Sequence, residues 1–316
     1  MGRYITQRST WVILVLLGVS AITFALLHLT PGDPAQILLG PIATPQELDH
    51  LRRELGLDRP LAIQYAIWLD HVARGDLGRS ITLHRPVLGE LLLRFRGTLI
   101  LTAGAIIVAF GPGILLGVLA ARRQGRFIDA VSMVVTVGGA SIPAFWLGMI
   151  LIIVFSVRLG WLPGTGMSSP SGPGTAGDVL THLILPAVTL GMLPMAIVTR
   201  VARTGMIEAL RGDYVRTARA KGVNELIVTM RHAFRNTLVG IVTVLGLEMG
   251  FLLAGAVYGE TVFDWPGVGL MLVNSILTRD FPLVQGAVLL LAATYVIINL
   301  LTDLLYAYLD PRIRFE

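Results

Sequence analysis

The chain of 316 residues is 54% hydrophobic and only 14% charged, with a mean hydropathy of +0.74; soluble domains carry about 25% charged residues, so a surface wetted on every side is excluded. Its net charge of +5 rests on arginine, with Lys221 the sole lysine, and lacks the basic stripe with interleaved aromatics of a nucleic-acid binder. The sequence has no cysteine, which removes disulfides, thiolate chemistry and Cys-ligated metal centres from this chain.

Six apolar segments run approximately over Trp11–Leu29, Thr98–Ala121, Ile128–Phe155, Leu183–Val201, Leu238–Gly259 and Leu283–Tyr306. About twenty helical residues cross the ~30 Å hydrocarbon core, so the expected fold is an all-α polytopic membrane protein with six transmembrane helices. The first run follows Arg3 and Arg8 as in a signal peptide, but it is long enough to span and no Ala-x-Ala site closes it. An uncleaved helix is expected. In the long first loop, Thr44-Pro45-Gln46-Glu47 reads as a capping box with proline at the first helical position, starting a helix to about Leu55 before Gly56. A second amphipathic piece from Pro60 to about Arg74 puts Leu61, Tyr65 and Trp68 on one face, toward the membrane or other helices. Gly113 and Gly117 predict close helix packing. The third apolar run is long and should tilt, or bend near Pro143. Trp161–Gly177, rich in Gly, Pro and Ser, reads as an irregular loop.

Orientation follows from the short loops. Arg122, Arg123 and Arg126 join the second and third segments; Arg200, Arg203, Arg211, Arg216, Arg219, Lys221, Arg231 and Arg235 lie between the fourth and fifth. The alternate loops hold only Arg158 and Arg279, so both termini are expected in the cytoplasm. The first loop carries eight arginines against eight acidic residues and is too long for the rule to bind; Arg94 and Arg96 fit least well.

No catalytic site is expected. An ATPase needs Gly-Lys-Ser/Thr closing a phosphate cradle, and Lys221 stands between Ala220 and Gly222. An intramembrane protease needs a serine elbow, a metal pair or paired aspartates; Gly139-Ala140-Ser141-Ile142-Pro143 lacks the closing glycine and the histidines are scattered. An ion-coupled secondary transporter would need buried carboxylates near the midplane. Only Glu248 lies deep in a predicted helix, with Asp129 and Asp303 near helix ends. A charge there costs about 2.5–3.5 kcal/mol, so Glu248 is expected to line a pathway or a subunit interface, grouped with Ser141 and Pro143.

The polar stretch Met206–Gly222 is the most informative. Asp213 is expected to cap a helix from Tyr214 to Ala220, Gly222 to end it in a left-handed turn, and Asn224 to cap a following helix through Met230 toward Asn236. The result is a compact helix–turn–helix on two membrane arms.

Asp213-Tyr214-Val215-Arg216-Thr217-Ala218-Arg219-Ala220-Lys221-Gly222, with Arg231–Asn236, resembles the cytoplasmic coupling motif of ABC importer permeases of the oligopeptide/dipeptide/nickel family, first-permease (B-type) subunit. Gly222 matches the motif glycine, Arg216, Thr217 and Ala218 take earlier positions, and the general motif's glutamate is absent. Leu29–Pro34, Gly75–Ser80, Glu260–Gly269 and Asp303–Arg312 carry the same resemblance in order along the chain.

The resemblance implies a type I importer-like (MetI-like) fold. It implies an N-terminal transmembrane helix over 1–30, an extracytoplasmic loop over 31–97, a transmembrane domain over 98–308 with a coupling segment at 206–236, and a cytoplasmic tail over 309–316. It also implies a permease subunit in the bacterial inner membrane, in contact with lipid, with a second homologous permease, two ABC ATPase subunits holding ATP and Mg, and an extracytoplasmic solute-binding protein. Asp213, Tyr214, Arg216, Thr217, Ala218, Lys221 and Gly222 would then contact an ATPase, and Gly222→Asp would break the turn or clash in the ATPase groove. The Trp-Pro-Gly turn, with Asp264, Trp265, Pro266 and Gly267, is expected at the external gate. The substrates implied are di- and oligopeptides, or alternatively nickel chelates, glutathione or opine- and sugar-like solutes.

Overall fold

A computed structural model describes residues 2–29, 36, 43–54, 56, 58–169 and 174–309. Thr30–Pro34 of the first resemblance, 170–173 of the irregular loop and the tail from Asp310 lie outside them. Among the described residues the regular elements are helices, and extended backbone pairs only at an isolated bridge between Arg79 and Pro86. In chain order they are α1 (Gly2–Leu29), α2 (Pro45–Glu54), α3 (Leu61–Ala73), α4 (Val87–Arg122), α5 (Phe127–Ala140), α6 (Ala144–Leu151), α7 (Ala176–Arg211), α8 (Asp213–Ala220), α9 (Glu225–Ile227), α10 (Arg235–Val262), α11 (Val268–Leu277) and α12 (Phe281–Leu309). π-helical segments Ile152–Arg158 and Val228–Phe234 continue α6 and α9.

Among the described residues, α4, α7, the run Glu225–Val262 and Phe281–Asp303 are long and apolar enough to cross a membrane. The pair Phe127–Ala140 and Ala144–Arg158, bent by 104°, is apolar enough to make a fifth crossing if its two limbs form one broken span. The first predicted segment lies on α1, whose described apolar stretch is Thr10–Ala25. The bend falls where proline was expected to cause it: Pro143 has no N–H to donate and takes the N-cap position of α6. Helices α4 and α7 outrun the apolar segments because polar turns at their ends remain helical. Short helix α11 has no counterpart in the sequence reading, which takes Asp264–Gly269 as a turn leading to the last span.

The chain divides into two compact units. The first comprises Met1–Phe95 and Met271–Thr294. Its capping box forms as expected: Glu47 Oε2 accepts from the Thr44 backbone N–H and hydroxyl at 2.8 Å each, and Thr44 Oγ1 accepts from Glu47 N at 3.4 Å. The aromatic face of α3 meets a helix: Tyr65 and Trp68 pack on Phe24 of α1 at centroid distances of 5.4 and 5.8 Å, while Leu61 stays exposed. Gly75 and Gly78 adopt φ of 81° and 77°, and Asp76 Oδ1 accepts from Gly78 N, closing the predicted Gly75–Ser80 turn.

Buried Asp280 organises the rest of this unit. Its Oδ2 accepts from Ser80 Oγ at 2.5 Å, Thr82 N at 2.9 Å and Thr82 Oγ1 at 2.7 Å, and Oδ1 accepts from Leu283 N at 3.3 Å. Burial alone would raise this carboxyl, but the donors from Ser80, Thr82 and Ile81 outweigh it and hold it below the ordinary range. A depressed folded-state value means the stabilisation is complete above the unfolded value of about 3.9 and is lost as pH falls through the folded one. Thermal stability in detergent should therefore fall as pH drops below about 4, and Asp280→Asn should flatten that limb of the profile.

The second unit comprises Arg96–Leu270 and Tyr295–Glu316. Its core is the contact of α4, α7 and α10, layered along their length: Leu101, Ala105, Leu190, Leu252 and Trp265; then Ala109, Phe110, Val198, Ala202 and Ile241; then Val118, Ala121, Met206 and Ala233. Gly113 and Gly117 carry the expected close approach. A Cβ on Gly117 would lie 2.6 Å from Ala202 Cβ and 2.7 Å from Thr199 O, so α4 and α7 touch backbone to backbone only because these positions lack one.

Candidate functional site

Met206 closes the last core layer, and beyond it α7 runs on to Arg211 and hands over to α8. Asp213 does not cap α8, contrary to the sequence expectation. Gly212 takes the N-cap position with extended backbone (φ −65°, ψ 146°), and Asp213 is the first helical residue, its side chain exposed. The reason is steric: a Cβ at 212 would lie 2.6 Å from the Tyr214 ring, so the capping conformation goes to the glycine. Gly222 ends α8 at φ 74°, as expected, and Asn224 caps α9 by accepting from Leu226 N at 2.8 Å.

The turn is clipped to the foot of α10. Val215 and Ala218 of α8 pack on Val228, with Val223 beside them. Arg219 holds Glu225 through Nε and Nη2 at 3.1 and 2.6 Å, and this hydrogen-bonded partner raises the guanidinium above its ordinary value. From Glu225 the chain runs without interruption through the π-helical segment into α10. Of the predicted coupling residues, Ala218 is buried as an anchor, while Tyr214, Arg216, Thr217, Lys221 and Gly222 face outward. Tyr214, Leu226, Ile227 and Met230 form an exposed apolar set on a polar element, the composition of an interaction surface. A cavity of about 320 Å³ beside it is lined by Val201, Gly205, Glu208, Tyr214, Asn236 and Thr237.

Near this end, Asp129 is buried and accepts from Arg203 Nε at 2.6 Å and Nη2 at 2.8 Å, with Gly125 N at 2.9 Å as a third donor. The pair ties the start of α5 to α7. Midway along α10, Glu248 is half-buried and forms no hydrogen bond with the described residues. Ser141 and Pro143 sit at the bend, both exposed, with Ser141 Oγ donating to Val137 O at 2.8 Å. The structure does not bring them into one cluster with Glu248 through any hydrogen bond among the described residues.

At the far end of α10 lies a site that the sequence reading passes over. Glu260 is fully buried. Its Oε1 accepts from Thr98 Oγ1 at 2.6 Å; its Oε2 accepts from Leu270 N at 2.9 Å, and the Gly269 amide is a further donor. Thr98 Oγ1 in turn accepts from Val268 N at 2.9 Å. The first three amides of α11 are thus satisfied by side chains from α10 and α4. Trp265, fully buried, donates from Nε1 to Gly97 O at 2.9 Å. The predicted gate turn is therefore a packed junction: Asp264 is its one exposed member, at φ 48°, and Gly267 leaves the space that the Glu260 carboxyl fills. The available signal was an acid one residue beyond an apolar run, followed by glycines at 267 and 269.

Residues 113–315 match the family profile described as binding-protein-dependent transport system inner membrane component, and residues 1–102 match that of its N-terminal membrane component. The chain belongs to the binding-protein-dependent transport permeases. It is 42% identical over 316 residues to the glutathione transport system permease protein GsiC of Escherichia coli K12, covering all of both chains. It is 39% identical to the dipeptide transport system permease protein DppB of Alkalihalophilus pseudofirmus, again over the whole of both. The fold is similar to that of a solved inward-facing MetNI methionine ABC transporter (TM-score 0.53, 18% identity, 70% of this chain and 96% of that one). It is likewise similar to an amino acid ABC transporter solved with histidines (TM-score 0.51, 16% identity, 71% and 94%). This permease is thus a membrane subunit of an ABC importer with the MetI-like fold.

Proposed function

We propose that this permease forms half of a translocation path for di- and oligopeptides, with a second, homologous permease forming the other half. A solute-binding protein delivers substrate on one face, and two ATPase subunits dock on α8 from the other. Both termini then lie in the cytoplasm, an orientation that the arginine-rich segments around α8 support. ATP and Mg belong to the ATPases; this chain supplies path and lever. The observation that carries the reading is the α8–α9 element, clipped to α10 by the Val215, Ala218 and Val228 contact and the Arg219–Glu225 pair, with Tyr214, Leu226, Ile227 and Met230 exposed on it. The peptide class is supported by the two full-length relatives, named for dipeptide and glutathione transport. Glu248, Ser141 and Pro143 are assigned to the path or the permease interface, and Asp264–Gly267 to the external end.

The test is reconstitution of the four-subunit membrane complex with its binding protein in proteoliposomes. ATP-dependent uptake of labelled di- or oligopeptides is the expected result. Uptake of a nickel chelate or a sugar but no peptide would overturn the substrate class, and uptake driven by an ion gradient without ATP would overturn the machinery.

A further inference from the structure

We infer that Glu260 is a positioning residue for transport, the joint through which α10 steers α11. The inference rests on the coupling reading of α8, because it concerns where motion collected there is delivered. A single helical run begins at Glu225, clipped to α8, and ends at Val262, beside Glu260. At about 1.5 Å per residue such a run, π-helical over Val228–Phe234 and α-helical beyond, is long enough to carry displacement from one side of a membrane to the other. The next element, α11, has no cap of its own. Its opening amides from Val268, Gly269 and Leu270 go to Thr98 and Glu260.

Both Glu260 oxygens act as acceptors. Their donors are the Thr98 hydroxyl and the amide-rich first turn of α11, with no cationic side chain among the described residues as partner. Thr98 relays the same contact to α4, since its one hydrogen goes to Glu260 while its oxygen accepts from Val268. The joint leaves no room for slack. A Cβ on Gly267 would collide with the Glu260 carboxyl, and one on Gly269 would lie 2.6 Å from Val257 Cα. A fully buried carboxylate that only filled space would be a costly choice; one that fixes the start of a helix to the end of the coupling rod has a use for its directionality.

The experiment uses the complete complex, with Leu277→Cys as a reporter: Leu277 is 77% exposed near the end of α11, and the chain has no other cysteine. With cysteine-free partners, bimane on that residue reads the response of α11 to vanadate trapping of the ATPases. Glu260→Gln places a donor where both neighbours donate. Thr98→Val removes the relay, and Thr98→Ser keeps it. The expected result is intact assembly and basal ATP hydrolysis with transport per ATP lowered about tenfold, the size of one lost hydrogen bond to a charged acceptor. The bimane response should be blunted in Glu260→Gln and Thr98→Val, restored in Thr98→Ser, and no worse in the double variant than in the singles. If Glu260→Gln does not assemble, Thr98→Val against Thr98→Ser decides. An unchanged bimane response and coupling ratio in Thr98→Val overturns the inference alone. Failure of the ATPases to co-purify with the unmutated chain overturns the coupling reading and the inference with it.

Discussion

Gly222→Val is expected to cut substrate-stimulated ATP hydrolysis by about tenfold or more while Gly222→Asn retains most of it, with basal hydrolysis unchanged in both. Gly222 sits at φ 74°, and a Cβ there meets nothing within 4 Å, so the chain itself has room for a side chain. The penalty is conformational. A left-handed residue costs an ordinary L-residue about 1–2 kcal/mol, asparagine less, and a β-branched residue more. That strain falls on the turn itself, next to the anchor of Val215, Ala218 and Val228, so valine should turn Lys221 and Gly222 away from the ATPase. Gly222→Asp, which meets no clash within this chain, reads the groove on the partner. Equal damage from asparagine and valine would show that the glycine serves contact rather than backbone geometry. Co-purification of the ATPases and stimulated hydrolysis are the two measurements, and survival of both in Gly222→Asp would remove α8 from the coupling role.

Arg203→Ala is expected to be strongly destabilising. It leaves Asp129, with only 7% of its side chain exposed, holding an uncompensated charge. Breaking a buried pair costs about 3–5 kcal/mol, and the low end applies because a quarter of Arg203 remains accessible. Replacing both, as Asp129→Asn with Arg203→Met, should recover much of that loss, because neither charge then needs a partner. Detergent melting of the two variants checks the order: a double variant no more stable than Arg203→Ala would mean that the contact matters for shape, not charge.

How much was legible beforehand depended on the range of the interaction. The capping box at Thr44, the left-handed Gly222, the Asn224 cap and the break near Pro143 are local, decided within four residues, and the structure has each of them. The Asp213 cap failed for an equally local reason, since the ring of Tyr214 reserves position 212 for glycine. Glu260 was not legible because its partner Thr98 lies 162 residues away, and nothing at either position marks the pairing. Asp129 was visible as an acid at a helix start, and Arg203 as one basic residue among many; only the fold matched them. The same limit hid α11, whose capping groups are borrowed from other helices.

The bend at Pro143 bears on how the chain enters the bilayer. Its two limbs, Phe127–Ala140 and Ala144–Arg158, are each about 21–23 Å long at 1.5 Å per residue, short of a ~30 Å hydrocarbon slab. Neither is a complete insertion signal, and the carbonyls freed at the break need protein around them rather than acyl chains. That shelter comes from a later part of the chain: Gly139 abuts Met192, and Gly148 abuts Thr189 and Phe263. The packing around the break is therefore complete only once α7 and the end of α10 have been synthesised.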